Sequence, residues 1–504
     1  MRPNPWQVTT FCVATAVAAL CAPVAAIGAL GADRAPGITG VVAAGSARGE
    51  SGQPIPLPPR VTTVAEASGL SGVSCFSPTD CVVVGGGGTT SDRRGLAEQI
   101  LTGRKTTPVL VPQPDSSLDA VSCPESGLCL VAGTAQVAAK GATVGDGLLA
   151  VFSHGAFHDV SLYGAGTGKS LMFRGVACRT VESCYVVGYV DGLDNLLEGA
   201  FVEVALDPTD STFIASLGYI PRTADLTGIT CPTKVRCYAV GAAPTRDNVY
   251  QAAVITIVKG VIDSPVATDL TAYGGDEAVA CRSATVCTTV GQIETNESEF
   301  IFEAYIEPLG SEGGGTAHLL SSLEYLWGIA TLDPHHQIAV GDESGGIPIT
   351  DLVTNGVASA HLAGVGASLA GISCPSTTYC MAVGAVGSPN AKGAIVRLSY
   401  ENLPGAPGLA LTAVAATSVD LELTPPGSTG NAKLSSYRLV VQACRAHHSG
   451  CVSISSRTLI LRASGTVTVD NLKPGTRYRF QAFASNAVGI GPGSSALEVT
   501  TKAS

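Results

Sequence analysis

Charge is scarce in this chain. Asp, Glu, Lys and Arg make up 14% of its 504 residues, against roughly 25% in an ordinary soluble domain. Long solvent-facing helices laced with ion pairs are therefore not expected. Aromatic residues reach only 5%, and tryptophan occurs only at Trp6 and Trp327. The aromatic platform common in sugar-binding clefts is thus missing from the composition. Clusters of Lys and Arg are also absent. The net charge of -11 and pI near 5.2 exclude a surface built to grip phosphate backbones, so nucleic acid is not an expected partner. In their place stand 60 glycines and a 45% share of hydrophobic residues, a composition suited to many short strands and turns. The expected class is all-β, in more than one domain, because single cores rarely outgrow about 250–300 residues.

The N-terminus carries Arg2 as its sole charge before Asp33, followed by an Ala/Val/Leu stretch with small-residue cleavage options such as Val24-Ala25-Ala26. Residues 1–32 read as a signal peptide or an uncleaved membrane anchor, and both place the body outside the cytoplasm. Residues 33–59, rich in Gly, Ala and Pro, read as a flexible linker.

The segment GVSCFSPTDCVVVG recurs with its first cysteine at Cys75, Cys123, Cys178, Cys231, Cys281 and Cys374, at intervals of 48, 55, 53, 50 and 93 residues. WGIATLDPHHQIAVG fits the same frame inside the long interval, with Thr331 and Gln337 in the cysteine positions, which makes seven repeats. Both cysteines are lost together, as expected of disulfide partners in an exported protein. The pattern pairs Cys75 with Cys81, Cys123 with Cys129, Cys178 with Cys184, Cys231 with Cys237, Cys281 with Cys287 and Cys374 with Cys380. A five-residue connection between antiparallel strands can bring such cysteines opposite each other. Zinc would require further ligands at regular spacing, and no metal or cofactor is expected.

Each repeat offers four short strands, as in GVAC, CYVVG, GAFVEVAL and STFIASLG of the third. Four strands per unit of about 50 residues is the pattern of a propeller blade. An open solenoid is the rival. The seventh repeat runs out after its third strand, whereas RVTTVAEASGLSGVSC before the first repeat resembles the end of a preceding unit. Val61 to Ala67 are therefore expected to complete the last blade and remove a free edge. Residues 60–401 resemble a seven-bladed β-propeller, and their VSCPS…C.AVG unit resembles that of extracellular bacterial repeat proteins.

A different pattern occupies residues 402–504. SVDLELTPP, SSYRLVVQAC and VTVDNLKPGTRYRFQAFASNAVG alternate like sandwich strands. This region resembles a fibronectin type III domain, with Leu472, Pro474, Gly475 and Tyr478 matching the L-x-P-G-T-x-Y turn, and Asn486 and Gly489 the strand that follows. The resemblance implies a tyrosine corner at Tyr478, although Leu423 stands where the family usually has tryptophan. Cys444 and Cys451 are expected to form a local bridge.

Other motifs have simpler readings. YGAGTGKSL misses the phosphate-loop frame by one residue and leads into a strand. His154 and His158 lie on a hairpin, while His335-His336 and His447-His448 read as solvent-facing turns. The stronger candidates for ligand binding are the polar loops after each second strand, with Asp191, Asp194, Asn195, Asp247, Asn248, Glu294, Glu297 and Asp342. In a propeller these loops share one face, opposite the disulfide turns, and could bind sugar hydroxyls, a cation or a basic segment. The expected function is that of a secreted or cell-surface, non-enzymatic binding or scaffold protein. It is expected to be monomeric, with an extracellular glycan, a cell-wall component or a protein as ligand. The alternative is a polysaccharide-acting glycoside hydrolase or its accessory subunit, for which Asp191, Asp247, Glu297 and Asp342 are nominal carboxylates. Membrane association is expected only through the N-terminal segment.

Thiol titration of the unfolded, unreduced protein is expected to detect no free cysteine other than Cys12 and Cys21. Reactive thiols within the repeats would remove the staple reading.

Overall fold

The computed structural model describes residues 54–503 except 90, 105, 140–141, 165–168, 192–196, 210–211, 221–222, 224, 246–248, 264–265, 268–272, 297–300, 311–314, 321–323, 344–346, 355, 363–366, 388–390 and 446–450. The expected leader, most of the linker and the His447-His448 turn lie outside the described residues, as does the centre of the YGAGTGKSL segment. The described structure is all-β, with no helix among the described residues.

Residues 54–401 form seven separate antiparallel sheets, one per repeat, rather than one continuous barrel. Their first strands are Ala67–Ser77, Ser116–Glu125, Ser170–Thr180, Leu226–Thr233, Gly274–Cys281, Glu324–Thr331 and Ser368–Ser376. Second strands such as Ser183–Asp191 and Arg236–Pro244 are buried along nearly their whole length. That burial accounts for their continuous apolar runs, since a strand covered on both faces has no reason to alternate. The seventh sheet takes its outer strands from the other end of the chain: Ile55–Pro56 and Arg60–Thr63 both pair with Lys392–Glu401. The linker expected to reach residue 59 therefore ends earlier, and Ala67 belongs to the first sheet instead of the seventh.

Six disulfides join the first two strands of their sheets at Cα separations of 3.8–4.0 Å. In the sixth repeat, Thr331 and Gln337 still face each other. Gln337 is fully buried and ties this sheet to its neighbour, donating to Ala280 O (3.0 Å) and accepting from Thr288 Oγ1 (2.7 Å). Thr331 Oγ1 donates to Cys281 O (3.1 Å). Hydrogen bonds between sheets thus occupy the place of the missing bridge.

Every first strand carries a register shift against its second strand, which leaves one bulged residue: Ser71, Asp119, Arg174, Thr227, Glu277, Trp327 or Ala370. The bulge explains the glycine that closes each apolar run. A Cβ at Gly85, Gly133, Gly188, Gly241, Gly291, Gly341 or Gly384 would lie 1.7–2.2 Å from the carbonyl oxygen two residues before the bulge. Only glycine lets the backbones approach this closely. The residue after the bulge is always Gly or Ala, and it abuts the next sheet. A Cβ at Gly72 would stand 3.0 Å from Asp119 O, one at Gly228 3.0 Å from Glu277 O, and one at Gly371 2.8 Å from Ser71 O. Each first strand packs on the first strand of the following sheet, and that of the seventh packs on that of the first. Serines preceding the first cysteines repeat the connection: Ser74 accepts from Cys123 N–H, Ser122 from Cys178 N–H and Ser373 from Cys75 N–H, at 3.0–3.1 Å.

Residues 403–503 form a two-sheet sandwich around Leu421, Leu423, Leu439, Val441 and Phe480. The Tyr478 hydroxyl accepts from Lys473 N–H (2.9 Å), closing the expected corner, and Cys444 is bridged to Cys451. The sandwich is tied to the sheets at the disulfide-turn end. Asn402 Nδ2 donates to Asp333 Oδ2 (3.3 Å) and Thr377 O (3.2 Å), while Asn486 Nδ2 donates to Asn402 O (2.6 Å). Asn431 Nδ2 donates to Tyr400 O (3.3 Å). His336, expected to face solvent, is instead buried and pairs through Nδ1 with Asp333 (2.9 Å). Burial works against ionisation of Asp333, but hydrogen bonds from His336 and the backbone N–H groups of His335 and His336 outweigh it and hold the carboxyl below its ordinary range.

Gly341→Ala is expected to destabilise the protein by about 2–4 kcal/mol, because its Cβ would be driven into Tyr325 O. Gly427→Ala, which meets nothing within 4 Å, is expected to be nearly neutral. Denaturant unfolding of the two variants checks both expectations.

Candidate functional site

The bulge column brings together the chemistry that the repeats otherwise lack. Aligned on the first cysteine of each repeat, the position four residues earlier reads Ser, Asp, Arg, Thr, Glu, Trp, Ala, while the position that follows it is always small. A bulge re-aims its side chain away from the regular pleat. Asp119, Arg174, Glu277 and Trp327 are each half-buried.

Three of these side chains are held by the residue that follows the second-strand glycine of their own sheet. Arg174 is hydrogen-bonded to Tyr189, with its guanidinium 5.9 Å from that ring's centroid. Glu277 Oε1 accepts from Gln292 Nε2 (3.1 Å). The Trp327 indole N–H donates to Asp342, which also accepts from Ser368 Oγ (2.9 Å) and from Leu369 N–H. In three other repeats the same pair of positions holds only small residues: Ser71 with Gly86, Thr227 with Ala242, and Ala370 with Ala385. Supported side chains thus stand in the third, fifth and sixth repeats, and open positions in the first, fourth and seventh.

The charges interact. Burial pushes the Glu277 carboxyl up to about 7, reinforced by the Asp225 charge and opposed by Gln292 and Arg174. Burial likewise raises Asp225 to about 6 and raises Asp119, with Arg174 opposing both. Burial disfavours charge on Arg174, yet Asp119, Asp225 and Tyr189 keep its guanidinium firmly protonated. Tyr189 is itself pushed up to about 12, chiefly by burial. Asp276, beside Glu277 in sequence, points into the sheet where the other repeats place Leu or Phe. It accepts from Tyr305 OH (2.7 Å), and burial lifts its carboxyl to about 7 against that bond.

Three of the loop candidates are described. Asp191 closes the strand Ser183–Asp191, and burial raises its carboxyl. The Glu294 N–H donates to Tyr273 O (2.7 Å), and Asp342 supports Trp327. Asp194, Asn195, Asp247, Asn248 and Glu297 lie outside the described residues. Among the described residues no three His, Cys, Asp or Glu side chains assemble as a metal site. Sequence reasoning missed the bulge column, Asp225 and the aromatic pair. Trp327 stacks on Tyr325, two residues earlier on the same strand, with centroids 5.9 Å apart and planes at 8°. The available signal was the variability of one column within an otherwise small and apolar strand.

Residues 404–500 match the fibronectin type III domain family, and the sandwich is a domain of that kind. The FN5 domain of Drosophila Lar is 22% identical over 20% of this chain and 100% of its own, with a TM-score of 0.17. The third fibronectin III domain of human KIAA0343 protein is 23% identical over 21% of this chain and 87% of its own, with a TM-score of 0.19. An FN3 domain of human collagen XX is 23% identical over 19% of this chain and 91% of its own, with a TM-score of 0.16. No curated protein matches the chain.

Asp276 gives the fold a pH dependence of defined sign. Its carboxyl titrates near 4 when unfolded and about 7 when folded. The native state therefore binds more protons between those values, and stability falls as pH rises from about 4 to about 7. Asp276→Asn keeps an acceptor for Tyr305. It is expected to raise stability at pH 8 by on the order of 2–4 kcal/mol and to flatten the slope below it. Thermal unfolding across this range tests the expectation, and an unchanged slope contradicts it.

Proposed function

We propose that the seven sheets are the blades of a closed seven-bladed β-propeller in an exported, non-enzymatic binding or scaffold protein. The bulge column lines the propeller axis, and the type III domain serves as a spacer or second contact module. Closure is supported by the contact of Gly371 with Ser71, the bond from Cys75 N–H to Ser373, and the pairing of Arg60–Thr63 with Lys392–Glu401. Each matches a connection within the array or removes a free edge. Seven disulfides and a type III domain fit an oxidising, extracellular setting, so the protein is secreted or held at the cell surface.

The observation that carries the binding reading is the set of supported side chains Arg174, Glu277 and Trp327, since pre-organised polar and aromatic groups are what a binding site requires. The type III domain is tied to the disulfide-turn end through Asn402, which leaves the opposite face for an extracellular glycan, cell-wall component or protein. A second reading, a polysaccharide hydrolase, draws on Glu277 and Asp225, whose carboxyls are raised to about 7 and about 6 and interact with each other.

The protein is expected to be retained on at least one member of a panel of insoluble polysaccharides, cell walls and matrix proteins, without releasing reducing sugar. Release abolished by Glu277→Gln would replace the binder with the hydrolase. Failure of retention on the whole panel would overturn both readings.

A further inference from the structure

We infer that the free end of the type III domain docks on the loop ends of the sheets in a second copy of the chain, joining copies head to tail. This rests on the reading above that the loop ends share one face. Charge is divided unevenly along the chain. Residues 402–504 carry nine Lys and Arg against four Asp and Glu, a formal charge of +5, whereas residues 54–401 carry 17 against 34, a formal charge of -17. A division of this kind gives one molecule two surfaces of opposite sign.

The positive surface lies away from the junction. Asn486, which follows the strand Arg477–Ser485, donates to Asn402 O, so that strand begins at the far end. Ser436–Cys444 pairs with it antiparallel and delivers Arg445 to the same end. Lys473 and Lys502 meet there: Thr501 Oγ1 donates to Lys473 O (2.6 Å), and Gly475 N–H donates to Lys502 O (3.1 Å). Arg445, Lys473 and Lys502 are all exposed. Arg477 neutralises Glu498, while Asp420 and Asp470 are outnumbered by these three and by Arg457 and Arg479.

The negative surface lies at the loop ends. Asp191 and Glu198 stand at that end of the third sheet, Glu294 and Glu303 at that end of the fifth. No Lys or Arg lies between Tyr189 and Gly199 or between Gln292 and Ala304. These carboxylates need not converge on one point, because in about 10 mM salt a field reaches about 30 Å. The sandwich is tied to the disulfide-turn end, so its basic end does not meet the loop ends of its own sheets. A second copy supplies them. Because the two surfaces differ, the contact repeats without closing.

Sedimentation velocity of the full chain is expected to show a mass that grows with concentration in about 10 mM NaCl, and a monomer in about 1 M NaCl, where screening shortens the reach to about 3 Å. Lys473→Gln with Lys502→Gln, and separately Glu198→Gln with Glu303→Gln, are each expected to weaken association roughly tenfold or more. Mixed in equal amounts at low salt, the two variants keep one intact surface each and are expected to form a dimer that grows no further. Should a pair fail to fold, Arg445→Gln or Asp191→Asn takes its place. A monomer at every salt concentration would overturn the inference, as would association unmoved by both pairs or a mixture that grows beyond the dimer. Binding of hyaluronan without self-association would likewise overturn it, by giving the basic end a different occupant. Retention on the insoluble panel in any of those cases would leave the binding function standing and remove only the second copy as a ligand.

Discussion

One close approach organises the repeat. The carbonyl two residues before each bulge presses against the glycine that ends the second strand, at a distance no side chain could share. From that contact follow the bulge, the small residue after it and the tight packing of one first strand on the next. It also frees one residue per sheet from the demands of the core. The disulfides sit at the turn end of the same strand pair and hold its register there. Staple and glycine thus pin the two strands at separate points, and the residue between them can vary without cost to the sheet.

That freedom explains which parts of the molecule were legible from sequence. The cysteine pairs could be read because loss of both in the sixth repeat identifies partners without any coordinates. The type III domain could be read from the turn around Tyr478, because the corner needs those residue types in that order. The strand order within a sheet followed from four apolar runs per unit. In contrast, Arg174 and Tyr189 lie fifteen positions apart on different strands, and their contact depends on the register of the bulge. No period or spacing encodes that register. The stacking of Trp327 on Tyr325 was not legible either, because residues two apart face the same side of any regular strand without necessarily stacking.

The loop residues chosen from sequence were selected for polarity, a property shared by ordinary solvated turns. Asp342 illustrates the difference: its role comes from reaching back to the indole of Trp327 and to Ser368, not from the loop it introduces. Asp276 was visible in principle, as the one carboxylate in a column of Leu and Phe, but its meaning required Tyr305 to be seen beside it. His336 misled for the opposite reason. A histidine pair in a turn suggests exposure, whereas Asp333 draws one of the two rings inward.

The sixth turn has a consequence beyond its own repeat. Six turns carry the same covalent staple, so by that criterion nothing distinguishes one from another as an attachment point. The exception presents Asp333 to Asn402, the residue through which the chain leaves the sheets for the type III domain. An imperfect copy thereby breaks the equivalence of the array and acts as an index mark. The appended domain is thereby anchored where the turns of the sixth and seventh repeats meet Asn402, beside the one turn that carries no staple.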